Sequence, residues 1–527
     1  MVKSFLSLVF LALFLVSCAT GGRTERAEFR TFIERSDYQG ALNYLETNEF
    51  YQEPKVLLLK LLEKGSVLFR NQKYAESILA FDAAKAMVKE LYTTSLSKKA
   101  ETILSNDNAD IYYGEAYEHS LVYFYLSLNH VLVAQSFPEG SSEKVQSLSR
   151  ARAELLAWDS MLKSIQSDRL GRSVFKNDLL AKVFGGMVHE LIGTRDDKQV
   201  AINLYKNAKE VLLKNGNAYK TFNKKSSNFK KDFEKLPTLK KDDLEKNYIE
   251  QTAYQENLQK FLDEKIKSLE KIKKEDKGQL VILVQEGPIP LKVAEKQYYG
   301  LTSALQNPDS SDTSKAIAKV GHMALTMFAL NKLNLLPPPS NWSPAGAYLG
   351  VNVASFAADS ANISFELPVI KSSEVDSTLY LQLNEKEEFL LPLVSPLGDI
   401  AEEAVAENSA GRYIKIGARL ASKHLVAILS AYGTYKLMAK DKGSDFLATN
   451  LAVLEYAALA RGIAASEKAD TRQWSTLPQN IFVYSLSLKD GEYHPHLKIK
   501  TKSGEQNLDL GKVIIDKKNT VILNFCH

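Results

Sequence analysis

The side chains of this 527-residue chain with most capacity for metal or nucleophilic chemistry are two cysteines, Cys18 and Cys526, and the histidines at 119, 130, 189, 322, 424, 494, 496 and 527. No HExxH or CxxC spacing occurs, so the zinc-protease and zinc-ribbon readings have no support. His494-Pro495-His496 could set two imidazoles on one face of a strand, and Cys526-His527 could join them around Zn²⁺ or Cu⁺. Pro495 and the terminal position of Cys526 argue against that. No P-loop string, no GxGxxG opening a helix and no GxSxG is present, which removes the usual routes to phosphate cradling and serine nucleophilic attack. Asp and Glu are abundant, so a pair of carboxylates about 5 to 9.5 Å apart acting on glycan stays open as a minor alternative. No catalytic residue, metal or cofactor is expected, and the chain is not expected to be an enzyme.

The chemistry that is legible concerns Cys18. Lys3 precedes the apolar run Phe5 to Val16, which at about a dozen residues is too short to span a bilayer of roughly 30 Å and reads as a signal-peptide core over residues 1–17. Leu15-Val16-Ser17-Cys18 resembles the bacterial lipobox, in which the cysteine sulfur is acylated and the peptide is cut just before it. Each buried CH₂ contributes about 0.8 kcal/mol, so several acyl chains hold a protein at a membrane where one is marginal. Ala19, where an inner-membrane retention signal would have Asp, points to the outer membrane, facing the periplasm. The alternative is a soluble secreted protein with a chance cysteine.

The elements that would carry such an anchored protein divide at residue 278. Length predicts three or four structural units. Hydrophobic residues at 45% and charged residues at 25% exclude a wholly disordered chain, and 67 Lys plus Arg against 63 Asp plus Glu give a net charge of only +4, no nucleic-acid signature. Two cysteines make no disulfide framework. Leu61, Gly65, Leu68, Tyr74, Ser77, Phe81 and Ala84 follow the offsets of a tetratricopeptide repeat, with small residues letting two helices approach and an aromatic filling the gap. Tyr38, Ala41 and Leu45 repeat its second half, as do Ile192, Ala201, Tyr205 and Ala208. Leu121, Phe124, Tyr125, Leu128 and Leu132 predict one apolar helical face between them. Residues 18–277 are therefore expected to form a tetratricopeptide-like α-solenoid with a concave surface. It closes with a charged segment whose thin stripe is Leu258, Phe261, Leu262, Ile266, Leu269 and Ile272.

From Gly278 onward β signals dominate, at 279–288, 361–370, 379–383, 481–488, 496–501 and 513–525. The last fifty residues read as a series of hairpins in a small antiparallel sheet, sharing one sheet system with the strands before residue 400. An apolar, small-residue-rich stretch at about 397–467 interrupts this β-rich domain. Lys415, Arg419, Lys423, His424 and Glu455 make a pair of transmembrane helices costly there, at about 2.5 kcal/mol or more per charge, so a packed helical hairpin is expected. A similar segment from Ala304 to Leu335 ends at Pro337-Pro338-Pro339. The predicted fold class is thus α+β.

Lys468-Ala469-Asp470-Thr471-Arg472-Gln473-Trp474-Ser475-Thr476-Leu477-Pro478, with Asn106-Asp107-Asn108, Tyr113-Gly114-Glu115-Ala116-Tyr117-Glu118 and Tyr125-Leu126-Ser127-Leu128-Asn129, resembles a family of largely uncharacterised Gram-negative bacterial lipoproteins. The resemblance implies tetratricopeptide-like helices, a C-terminal region carrying the ADTRxWxxLP string, and gene neighbours that include small envelope lipoproteins, some similar to activators of peptidoglycan synthases. It implies a scaffold or assembly factor in the cell envelope, with a regulatory activator docking onto such a synthase as the alternative. Partners would be envelope proteins or other lipoproteins, with self-association open and no nucleic acid. Read physically, Arg472 would fork onto Asp470 and stack on Trp474, locking the helical insertion to the sheet. Tyr113, Glu115, Tyr117 and Glu118 would cluster at a helix start, where capping and groove lining are equal readings.

Overall fold

The structure is a computed structural model that describes residues 21–98, 110–164, 178–215, 219–225, 249–271, 278–298, 364–384, 387–438, 445–516 and 520–527. Cys18, the signal-peptide run, Asn106 to Asn108, the Ala304–Leu335 segment with its prolines, and Ile272 lie outside the described residues. The fold is mixed α+β.

The first half is helical: α1 (Arg23–Glu34), α2 (Tyr38–Thr47), the short α3 (Glu49–Gln52), α4 (Leu57–Arg70), α5 (Tyr74–Lys98), α6 (Ala116–Gln135), α7 (Ser142–Ser164), α8 (Leu179–Ile192), α9 (Arg195–Asn215) and α10 (Ala253–Glu270). Successive helices pack as pairs, α4 with α5, α6 with α7 and α8 with α9. Small residues set those approaches. A Cβ on Gly65 would sit 2.7 Å from the Phe81 ring, and one on Gly186 would sit 2.7 Å from the Tyr205 ring, so both helix pairs depend on glycine at the crossing. Helix starts are capped by Asp37, Asp178 and Thr252, whose side chains accept backbone N–H groups of the first turn. Gly193 ends α8 in the left-handed region, at φ 70°.

The second half is built on two four-stranded sheets. The first has the order β14 (Thr520–Cys526), β3 (Gly278–Pro288), β9 (Pro478–Leu488), β8 (Leu393–Pro396); the second has β12 (Gly504–Asp509), β11 (His496–Thr501), β6 (Thr378–Asn384), β7 (Glu387–Leu390). Two-stranded ribbons add β4 (Val293–Tyr298) with β5 (Ser364–Val369) and β10 (Gly491–Tyr493) with β13 (Val513–Ile515), and a third, β1 (Asn223–Lys225) with β2 (Ile249–Gln251), lies before residue 278 and interrupts the expected all-helical first half. The last fifty residues are thus not one run of antiparallel hairpins. β11 and β12 form a hairpin in the second sheet, β9 joins the first, and β14 runs parallel to β3, with Val521 opposite Leu280. Between β8 and β9, which pair with one another, the chain makes α11 (Leu397–Met438) and α12 (Asp445–Ser466).

One core runs through both halves, from Phe29 in α1 to Ile522 in β14. Its centre is α6, which is buried nearly all round instead of along the single face that the spacing predicts. The reason is that α5 and α7 flank it while the first sheet lies against another side: Tyr125 Oη donates to Gln285 Oε1 of β3 at 2.6 Å. The Gln135 side chain accepts from the Ile522 N–H at 2.6 Å and donates to its carbonyl at 3.1 Å, which satisfies the edge of β14. The polar residues that break the apolar pattern of α6 are paired inside the core. Ser127 donates to the Ala151 carbonyl, and Asn129 donates to Ser77, which in turn donates to the Gly65 carbonyl.

Candidate functional site

Residues 468–478, which follow α12, run as a strap between the helices and the first sheet, and the helices meet it with buried acids and with two arginines. In α4, Glu63 is buried, and its Oε1 accepts from the N–H and hydroxyl of Ser475 (2.7 and 2.8 Å) and its Oε2 from those of Thr476 (3.2 and 2.6 Å). Burial pushes its carboxyl up, against the pull of those four donors. In α6, Glu118 is fully buried: Oε1 accepts from the Trp474 N–H at 2.8 Å, while Oε2 accepts from Tyr112 Oη at 2.5 Å and from the Glu115 N–H at 2.8 Å. Glu118 therefore closes its own helix start and grips the strap with one carboxylate. Gly114 makes this turn at φ 74°, where a Cβ would lie 3.1 Å from Glu118 Oε2.

Trp474 has no exposed surface. Its indole N–H donates to Ser66 Oγ at 2.8 Å, and its ring packs 5.6 Å from both Phe81 and Tyr125. Arg70 donates to the Thr476 carbonyl at 3.1 Å. Arg26 of α1, also buried, donates to the Thr471 carbonyl at 2.6 Å, to Thr471 Oγ1 at 3.0 Å and to the Gly21 carbonyl at 3.1 Å. Desolvation lowers the Arg26 guanidinium from its usual range.

Arg472 forks onto Asp470, with Nε to Oδ1 at 2.9 Å and Nη2 to Oδ2 at 2.8 Å. Its guanidinium lies over the Tyr112 ring, 5.6 Å from the centroid, and not over Trp474. The expectation of an Arg472–Trp474 stack that ties the insertion to the sheet is corrected on both counts. The two side chains point to different layers, and the strap ties the sheet to the N-terminal helices. Lys55 on that side accepts through its carbonyl from the Tyr112 N–H at 2.7 Å.

Around the open side of Tyr112 is a cleft of about 150 Å³ lined by Asp110, Tyr113, Glu115, Lys292, Arg412 and Asp470, among others. Glu115 is its electrostatic centre. Lys292 Nζ donates to Oε1 at 2.6 Å and to the Arg472 carbonyl at 3.1 Å, and Arg412 Nη2 donates to Oε1 at 2.5 Å. Burial works against ionisation of Glu115, but the Lys292 and Arg412 cations outweigh it and hold its carboxyl at about 2. Burial, then the nearby Glu118, puts the Tyr112 and Tyr117 phenols well above their ordinary value. Glu115 therefore stays ionised and these phenols stay protonated around neutral pH.

All seven residues singled out from the two strings meet here or line this junction, although about 350 positions separate the strings. Spacing did not reveal Arg26, Glu63, Tyr112, Lys292 or Arg412. Glu63 sits beside Lys64, so its pattern gives no sign that it is buried. His494 is exposed beside Glu492 at 3.2 Å, and among the described residues no group of three or more His, Cys, Asp or Glu could hold a metal ion. No family model, no curated protein and no solved structure matches the chain.

Proposed function

We propose that this chain is a lipoprotein scaffold of the outer membrane, facing the periplasm, held by acyl chains on Cys18 and serving as an assembly factor for other envelope proteins. Its helices are read as a tetratricopeptide-like array, on the strength of the paired packing of α4 with α5 and α8 with α9 around Gly65 and Gly186. The observation that carries the scaffold reading is the use to which the 113–118 and 468–478 strings are put. Glu63, Ser66 and Glu118 bind the chain's own strap as a groove would bind a peptide, so the inner face of the array is filled in cis and the two halves act as one body. Partners would then engage outer surfaces.

Affinity purification from mild detergent tests this. A set of envelope proteins or lipoproteins recovered in fixed ratio supports the scaffold. One peptidoglycan synthase as the dominant partner favours the activator, and glycan turnover by the purified chain overturns both.

A further inference from the structure

A strand at the edge of a sheet leaves main-chain N–H and C=O groups open along one side, and proteins guard such edges with charges, proline or a covering element. The two four-stranded sheets have four edges, and three are guarded. β7 carries the exposed Glu387 and Glu388, and β12 carries the exposed Glu505 and Asp509. β8 is buried throughout, ends at Pro396 and lies against α8 and α10. β14 differs. From Thr520 to Cys526 it has no charge and no proline, and Val521, Leu523, Asn524, Phe525 and Cys526 are all partly exposed.

The ladder tells which groups are open, because a strand engages one neighbour through alternate residues. The His527 N–H donates to the Gln285 carbonyl at 2.8 Å and its carbonyl accepts from the Gly287 N–H at 2.9 Å, so Phe525, Leu523 and Val521 also bond to β3. Ile522, Asn524 and Cys526 turn their main-chain groups outward. At Ile522 alone the Gln135 side chain takes both of them, making the two bonds that an added strand would make there. The outward groups of Asn524 and Cys526 have no partner among the described residues. Donor and acceptor repeating every second residue are complemented by another extended main chain.

Beside this edge is a cavity of about 170 Å³ between α6, α7, α8 and β14, lined by Val131, Val145, Leu148, Leu191, Ile192 and Ile522, among others. Lys144 and Glu139 at the same cavity pair with one another, so the seat suits an aliphatic side chain and not an ion.

We infer that the outer edge of β14 takes an added strand from a partner protein. The segment is extended and uncharged, displaces the Gln135 amide, pairs with Ile522, Asn524 and Cys526, and seats one aliphatic side chain in the cavity. The inference deepens the scaffold reading and rests on it for the partner being an envelope protein. Pairing is read on the purified chain, so either can fail while the other stands.

The probe is an acetylated and amidated peptide of alternating valine and threonine, with a lysine at each end, added to the full chain in mild detergent. Hydrogen exchange with electron-transfer fragmentation resolves single amides. The peptide should slow exchange at Asn524 and Cys526 and leave Val521, Leu523 and Phe525, already bonded to β3, unchanged. Methylating the peptide nitrogens on its paired side should weaken binding about tenfold or more, as should Val145→Glu, whose charge would enter the cavity from an exposed position. Gln135→Ala should bind about tenfold more tightly, since the peptide no longer competes with the amide. Unchanged exchange at Asn524 and Cys526 overturns the inference, as does slowing spread equally over odd and even positions, or binding indifferent to nitrogen methylation. A dimer in sedimentation that protects the same two amides without peptide also overturns it, by assigning the edge to a second copy of the chain.

Discussion

Replacing Glu118 by Ala removes one carboxylate and strands three donors: the Trp474 and Glu115 backbone N–H groups and the Tyr112 phenol. Glu118 and Tyr112 are fully or almost fully buried, so water does not replace the lost acceptor without opening the junction. At about 1–3 kcal/mol for each unsatisfied buried donor, and with the desolvation of the carboxylate returned, the net loss is about 3–5 kcal/mol. That is a large share of a typical total stability of about 5–15 kcal/mol. It should be concentrated where the strap meets α4 and α6. Hydrogen exchange followed by mass spectrometry reads it locally, and 3 kcal/mol corresponds to roughly a hundred-fold faster exchange at peptides covering 112–118 and 471–477. Glu118→Gln keeps the side-chain volume and one acceptor oxygen, so its effect should be smaller. If the Ala variant exchanges at these peptides within about threefold of the parent, the strap is not held by Glu118 and the clamp argument fails.

Trp474→Ala should cost about 3–5 kcal/mol through the cavity left between Phe81 and Tyr125, read as a lower thermal midpoint. Gly65→Val should destabilise by about 1–3 kcal/mol or more because its first carbon would already sit against the Phe81 ring, and the helical far-UV signal on heating checks it. Glu115, held at about 2 against an ordinary 4.5, makes a contribution that is complete above pH 4.5 and is lost as pH falls towards 2, roughly 3 kcal/mol in all. Urea titrations across that window should show a shallower acid loss in Glu115→Gln, which is also weaker at neutral pH because Lys292 and Arg412 are left without their carboxylate.

What could be read in the sequence was local, and what could not was the partner across a long interval. The spacing of Gly65 and Phe81 encodes a close helix crossing directly, because both residues belong to one hairpin. The same logic predicted one face for α6. It failed there because Ser127 and Asn129 look solvent-facing in a pattern but are satisfied by Ala151 and Ser77 in the core. Arg472 was correctly matched to Asp470, two positions away. Its ring was assigned to the nearest aromatic in the sequence, whereas the ring beneath it is Tyr112, 360 positions earlier. The pairing of β14 with β3 in parallel is equally invisible to alternation patterns, which fix faces and not direction.

The location of the acids carries the remaining argument. Three buried glutamates along the helices serve one 11-residue segment in different electrostatic ways: Glu63 through neutral hydroxyl and amide donors, Glu118 through amides and a phenol, and Glu115 through two cations that the β half supplies from Lys292 and Arg412. Donors cross in both directions: Ser475, Thr476, Trp474, Lys292 and Arg412 donate to the three glutamates, while Arg26 and Arg70 of the helices donate to strap carbonyls, so each half buries polar groups that the other helps to satisfy. Separating them would strand those groups on both sides, which makes a hinge between helices and sheets costly. The α11–α12 hairpin differs: beyond Ile416 Lys423 and Ser430 hydrogen-bond to Ser466 and Glu455 of α12, Arg419 and Lys423 pair with Glu467, and Leu437, Met438, Leu451 and Leu454 are exposed. A partner that displaced this part of the hairpin would leave the clamp intact, whereas one that entered the inner face of the helices would first have to expel Trp474.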